Sequence, residues 1–151
     1  MKKILLLFVL MTSLVFTSEA QRLKQKKVPL ELLKAFRDQY PAAADVEWRK
    51  SRVGFVIKYE FLGKKQESLY TKEFLWVNTI AEMSAAELSY ATTSFLKQRF
   101  PDCSLADITL YDTPLTKEHR LQILCNKLYS NLVFDERGNL LREEIQNNTS
   151  K

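Results

Sequence analysis

Apolar residues recur at helical spacing in two short stretches and at alternate positions almost everywhere else. Leu30, Leu33 and Phe36, with Leu32 and Ala35 beside them, form one stripe of a helix. Pro29 suits its first turn, and Pro41 stops it by driving Tyr40 out of the α region. Val46 and Trp48 then alternate with Asp45, Glu47 and Arg49, the pattern of a half-buried strand. After a turn at Ser51–Gly54, Phe55, Ile57, Tyr59 and Phe61 alternate with Val56, Lys58 and Glu60, the strongest strand signal in the chain. Gly63-Lys64-Lys65 reads as a turn, and residues 66–71 and 74–79 as two further strands around Lys72-Glu73.

The second half opens on Ser84 with Glu87 three positions on, a capping-box signature that predicts a helix start. Leu88, Ala91, Phe95 and Leu96 make its stripe, and Pro101 ends it. Strands are predicted over 107–112, 120–128, 128–134 and 140–145. Turns fall at Thr113-Pro114 and at Asp135–Asn139, where Gly138 wants a positive φ. Tyr40-Pro41 recurs sixty positions on as Phe100-Pro101, so the pattern reads as a repeat. The expectation is an α+β fold. Two tandem helix-plus-antiparallel-sheet repeats, 28–82 and 83–145, form one extended sheet with helices on one face. The other face stays open to water, as antiparallel sheets allow. It serves as a binding surface or as a plain solvated face.

The chain start changes the compartment. Lys2 and Lys3, the apolar run from Ile4 to Phe16, and Ser18-Glu19-Ala20 follow the secretory pattern, with cleavage before Gln21. Residues 1–20 are therefore expected to be a cleaved signal peptide. The mature protein is expected in the periplasm or secreted, without a lipid-bearing cysteine at the cut. No later stretch has the length and apolarity of a membrane span. The formal charge is +5, with its excess gathered early in Arg22, Lys24, Lys26 and Lys27. Residues 21–27 read as a solvated basic tail and 146–151 as a polar one. No nucleic-acid-binding motif accompanies the charge, and an exported protein rarely meets nucleic acid.

Catalytic chemistry finds few candidates. His119 is the only histidine, with no acid or nucleophile placed beside it by a motif. One histidine and two distant cysteines make no metal-ligand spacing, and three glycines make no phosphate loop. Glu143-Glu144 are adjacent on a strand and point to opposite faces, so they do not converge on one bond. The reading is a non-enzymatic protein without cofactor or metal. Cys103 and Cys125 flank the hairpin around Pro114 and can oxidise outside the cytoplasm. Cys103 falls out of phase with Cys125 unless a bulge intervenes; two free buried thiols are the alternative. Among many aromatics, Tyr70 and Trp76 lie on mid-chain strands and are the candidates for partner contact. Packing beneath the helices is their competing reading.

Three stretches together resemble a known family. They are Phe36…Tyr40-Pro41…Ala43…Val46…Trp48, then Trp76-Val77-Asn78-Thr79, then Phe134-Asp135…Gly138-Asn139-Leu140. They are similar to the PepSY-like, β-lactamase-inhibitor-like family of exported bacterial envelope proteins. Two departures are Glu73-Phe74-Leu75, where the family often has glycine, and Leu88-Ser89, where it often has Leu-Pro. The resemblance implies tandem α+β units and no catalytic residues. It implies a protein-protein or inhibitor-like module acting on a partner in the cell envelope. The alternative is a small-ligand or envelope-glycan binder, with aromatics stacking on sugar rings.

Overall fold

A computed structural model describes residues 21–146; the signal-like segment 1–20 and residues 147–151 lie outside the described residues. The chain runs β1 (Gln21–Leu23), a 3-10 turn (Gln25–Lys27), α1 (Leu30–Gln39), β2 (Ala44–Lys50), β3 (Gly54–Phe61), β4 (Lys64–Thr71) and β5 (Trp76–Glu82). It continues with a second 3-10 turn (Ala85–Glu87), α2 (Tyr90–Arg99), β6 (Ser104–Asp112), β7 (Lys117–Cys125), β8 (Leu128–Asp135) and β9 (Leu140–Gln146). The nine strands form a single antiparallel sheet whose spatial order is the chain order.

This corrects the expected fold class. The fold is sheet-dominated rather than α+β built from tandem repeats: nine strands in one sheet are braced by two helices of ten residues each. The recurring aromatic-proline pair marks where each helix stops; it does not delimit a self-contained unit. β5 pairs directly with β6, from Thr79↔Asp112 to Glu82↔Thr109, so the sheet has no seam at which two units separate. The first half also carries a strand the pattern did not show. Residues 21–27, read as a solvated tail, are folded: β1 pairs with β2 from Gln21↔Lys50 to Leu23↔Trp48.

Local chemistry explains the other shifts. The Ser84–Glu87 capping box is present, but it closes the 3-10 turn. α2 begins later, where Ser89 Oγ accepts the Thr92 N–H at 3.1 Å. The turn near Gly63 is Leu62-Gly63, and that near residue 127 is Asn126-Lys127, each with both residues at positive φ. Such pairs match the twist of a tight hairpin. Asn126-Lys127 lacks the glycine that usually announces it, which is why the pattern runs 120–128 into 128–134 with no turn between them.

Strand alternation sends one set of side chains toward the helices. Under α1 the core is aromatic: the Phe36 ring stands edge-on to Trp48 at 5.2 Å and to Tyr59 at 4.9 Å. Its buried hydroxyls are joined to one another, with Tyr40 to Thr79 at 2.7 Å, Thr79 to Ser68 at 2.6 Å and Ser68 to Tyr59 at 2.8 Å. Satisfying them inside the core removes the cost of burying them. Under α2 the core is mostly aliphatic, with Ile108, Leu121, Ile123 and Leu132 around Phe134, which meets Phe95 at 5.5 Å. Register places both cores on the same sheet face: Ser68↔Thr79, Ala81↔Leu110, Ile108↔Leu121 and Leu121↔Leu132 link one to the other.

Candidate functional site

The opposite sheet face carries no helix. Its residues are those that alternate with the core: Glu47 and Arg49 on β2, Lys58 on β3, Glu67 on β4, Asn78 and Ile80 on β5, and Tyr111 on β6. Arg120 on β7, Val133 on β8 and Arg142 on β9 continue it. Between β2 and β6 this face forms a concavity of about 470 Å³ with Ile80 among its lining residues. Asp45, Glu47, Glu60, Glu67 and Glu82 line it against Lys58 and Lys65, so its charge is acidic. Asp45 enters it from a bulge in β2, at a φ of 49°.

Many of the long side chains here are held. Arg49 reaches Glu47 at 3.2 Å, Lys58 reaches Glu67 at 3.1 Å and Arg142 reaches Glu144 at 3.0 Å. Exposed pairs of this kind add little stability. They do reduce the freedom those chains would lose on docking. The best-held group is Arg120. Its Nε and Nη2 donate to Glu118 Oε2 at 3.2 and 3.0 Å, and its guanidinium carbon stands 3.4 Å from the centre of the Tyr111 ring. The Tyr111 hydroxyl accepts from Asn78 Nδ2 at 3.2 Å. A half-buried arginine stacked on a tyrosine is the side-chain type that anchors protein interfaces.

The sequence-derived candidates fall elsewhere. Tyr70 is 1% exposed in the aromatic core, where its hydroxyl donates to Gln39 Oε1 at 3.0 Å. Burial pushes the Tyr70 hydroxyl pKa far above the ordinary tyrosine range. Trp76 is half-buried against the same core and donates its indole N–H to Thr79 Oγ1 at 3.0 Å. Tyr70 follows Ser68 in plain alternation and opposes Phe55 in the unshifted β3–β4 ladder, whereas the extra residue Val77 on β5 turns Trp76 to the same helix side. Cys103 and Cys125 are bonded to each other, their Cα atoms 4.6 Å apart. The shift of register between Leu105 and Asp107 supplies the bulge that their phase requires.

His119 lies on the helix side between Leu110 and Phe134, and its Nδ1 is buried without a hydrogen-bond partner. Glu143 bridges to Arg99 at 2.8 Å while Glu144 pairs with Arg142, so the two carboxylates serve opposite faces. Among the described residues no group of three or more His, Cys, Asp or Glu is placed to hold a metal ion. No described helix is long and apolar enough to cross a membrane. The residues sequence reasoning missed are Tyr111, Arg120, Asn78 and Ile80. The alternation of Ile108 and Leu110 with Thr109 and Tyr111 carried the signal, since it assigns Tyr111 to the non-core face.

No protein-family model matches the chain, and no curated protein matches it. Solved structures do match its fold. A BLIP-like protein from Bacteroides fragilis superposes with a TM-score of 0.71 at 21% identity, covering 80% of this chain and 90% of its own. A DUF2874 family protein from Bacteroides uniformis gives 0.70 at 15% identity, covering 78% and 89%. A protein from Bacteroides eggerthii described as periplasmic gives 0.69 at 19% identity, covering 78% and 88%. The chain shares the fold of these proteins, the BLIP-like one among them.

Proposed function

We propose that this is an exported, non-enzymatic binding protein that holds a protein partner on its concave open sheet face. The observation that carries the reading is the Arg120–Tyr111 stack on a helix-free face, beside an acidic concavity. A held arginine on an aromatic ring loses little freedom when a partner covers it. The charge of the concavity favours a partner segment bearing Lys or Arg side chains, and salt should weaken such a complex.

Export is supported by the signal pattern of residues 1–20 and by the Cys103–Cys125 bond, which belongs to oxidising compartments. A structural neighbour described as periplasmic agrees with it. The BLIP-like neighbour makes an inhibitor-like role the finer form of the proposal, with the partner a secreted or periplasmic protein. The PepSY-like part of the sequence resemblance stays a proposal without a counterpart among these neighbours. Glycan binding draws no support here, because Trp48 and Trp76 both belong to the helix-side core.

The test is crosslinked capture of the tagged protein from envelope extract of its native host. Arg120→Ala with Tyr111→Ala is compared against Lys34→Ala with Arg37→Ala on the exposed side of α1. Loss of the same partner only in the open-face variant supports the reading. Equal retention by both variants rejects it.

A further inference from the structure

We infer that β9 is a self-pairing edge, through which two copies of this chain join antiparallel about a two-fold axis at Glu143. The sheet has two ends of unequal kind. β1 offers three residues, whereas β9 offers seven, Leu140–Gln146, and among the described residues no strand pairs with its outer side. An unpaired edge of that length presents a row of backbone N–H and C=O groups to any matching strand.

The strand matches itself. Its sequence is Leu-Leu-Arg-Glu-Glu-Ile-Gln. Centring the pairing on Glu143 sets Arg142 of each copy opposite Glu144 of the other, two facing pairs of opposite charge on the open face. Leu141, 57% exposed, is the bulged residue of β9 and lies outside this ladder. The two Glu143 residues meet at the axis, and each is paired to its own Arg99 at 2.8 Å, which offsets part of their mutual repulsion. Centring on Arg142 instead would oppose two arginines, and centring on Glu144 would oppose two glutamates and set Arg142 against residue 146, so neither register makes the facing ion pairs. A shift by one residue would turn one copy's core side to the other's open side. The centred register keeps both concave faces on the same side, and the pair presents two partner sites to one bivalent target.

A single strand pair buries less than a standard interface, so the association is weak, with a dissociation constant on the order of 10–100 µM. Sedimentation equilibrium of the purified full chain reads it directly. Arg142→Glu alone and Glu144→Arg alone should each weaken dimerisation at least about tenfold, by opposing like charges. The double exchange should restore it, because the facing pairs are then merely reversed. Melting temperatures recorded alongside separate this from the loss of the same-strand Arg142–Glu144 pair. Glu143→Cys should yield a disulfide-linked dimer under mild oxidation and Glu144→Cys should not, since only residue 143 meets its own copy. A monomer throughout that concentration range, or a dimer indifferent to both single reversals, overturns the inference.

Discussion

Arg120 and Tyr111 lie diagonally across the β6–β7 ladder, where Tyr111 opposes Glu118 and Arg120 opposes Thr109, and the guanidinium covers the ring at 3.4 Å. Through Asn78 the ring is also tied back to β5. The arrangement therefore bridges the central strands of the uncovered face.

Tyr111→Ala should leave stability within about 1 kcal/mol, since the ring is half-buried and outside both cores. Partner retention should fall about tenfold or more. Calorimetric melting beside the capture assay checks both halves. A large drop in melting temperature would mean that the stack is structural rather than a docking anchor.

Tyr70 separates core from surface. Tyr70→Phe removes only the hydrogen bond to Gln39 and should cost about 1 kcal/mol. Partner retention should not change. Urea midpoints give the first number. Retention that fell with this substitution would assign the partner to the helix side and contradict the open-face reading.

The Cys103–Cys125 bond closes a separation of 22 residues around the β6–β7 hairpin. Its removal by Cys103→Ser with Cys125→Ser should destabilise the protein by about 3 kcal/mol through the freed unfolded chain. Denaturation curves with and without reductant should differ in midpoint for the wild type and coincide for the double variant.

Gly138 and Gly63 both sit at positive φ, 87° and 74°, yet they are not equivalent. A Cβ on Gly63 would meet nothing within 4 Å, whereas one on Gly138 would lie 2.9 Å from both Ala91 Cβ and Thr92 Oγ1 at the start of α2. Gly63→Ala should cost about 1 kcal/mol of backbone strain, and Gly138→Ala more, about 2–3 kcal/mol. Equal costs would show that the turn and α2 do not press on one another.

Acid should weaken the fold through two carboxylates. Glu87 is lowered from the ordinary 4.5 to about 2, first by the Lys64 hydrogen bond and then by the N–H and hydroxyl of Ser84. Asp135 is lowered from 3.8, first by the Asn139 side chain and then by the backbone N–H groups of its own turn. A group whose folded pKa is depressed holds fewer protons folded than unfolded. Its stabilisation is complete above the unfolded value and vanishes as pH falls through the folded one. Melting temperature should therefore be level near neutrality and decline from about pH 4.5 toward pH 2. Glu87→Gln should flatten part of that decline; an unchanged slope would remove Glu87 from the account.

Much of the strand content was legible in the chain because alternation reports burial directly, as in Phe55, Ile57 and Tyr59. Fold class was not, because a proline after an aromatic ends a helix wherever it occurs and says nothing about what that helix joins. The short β1 escaped because Gln21-Arg22-Leu23 has too few residues to alternate. The disposition of Trp76 escaped because it turns on one bulge, the extra Val77 of β5 opposite Leu69 and Tyr70, and a single inserted residue reverses which face a side chain takes. Tyr111 was the readable exception, since the flanking core residues already assigned its side.

The order of the sheet has a consequence for how the chain comes together. Every strand lies beside its sequence neighbour, so β2 through β5 and β6 through β9 each close by hairpins. Only β1–β2 and β5–β6 must wait for a helix to span the gap. A chain emerging N-terminus first can add each strand to the growing edge in turn, without holding distant segments apart. Local contacts of this kind favour rapid folding. The cysteine pair becomes joinable once β7 has paired with β6, before β8 and β9 are needed.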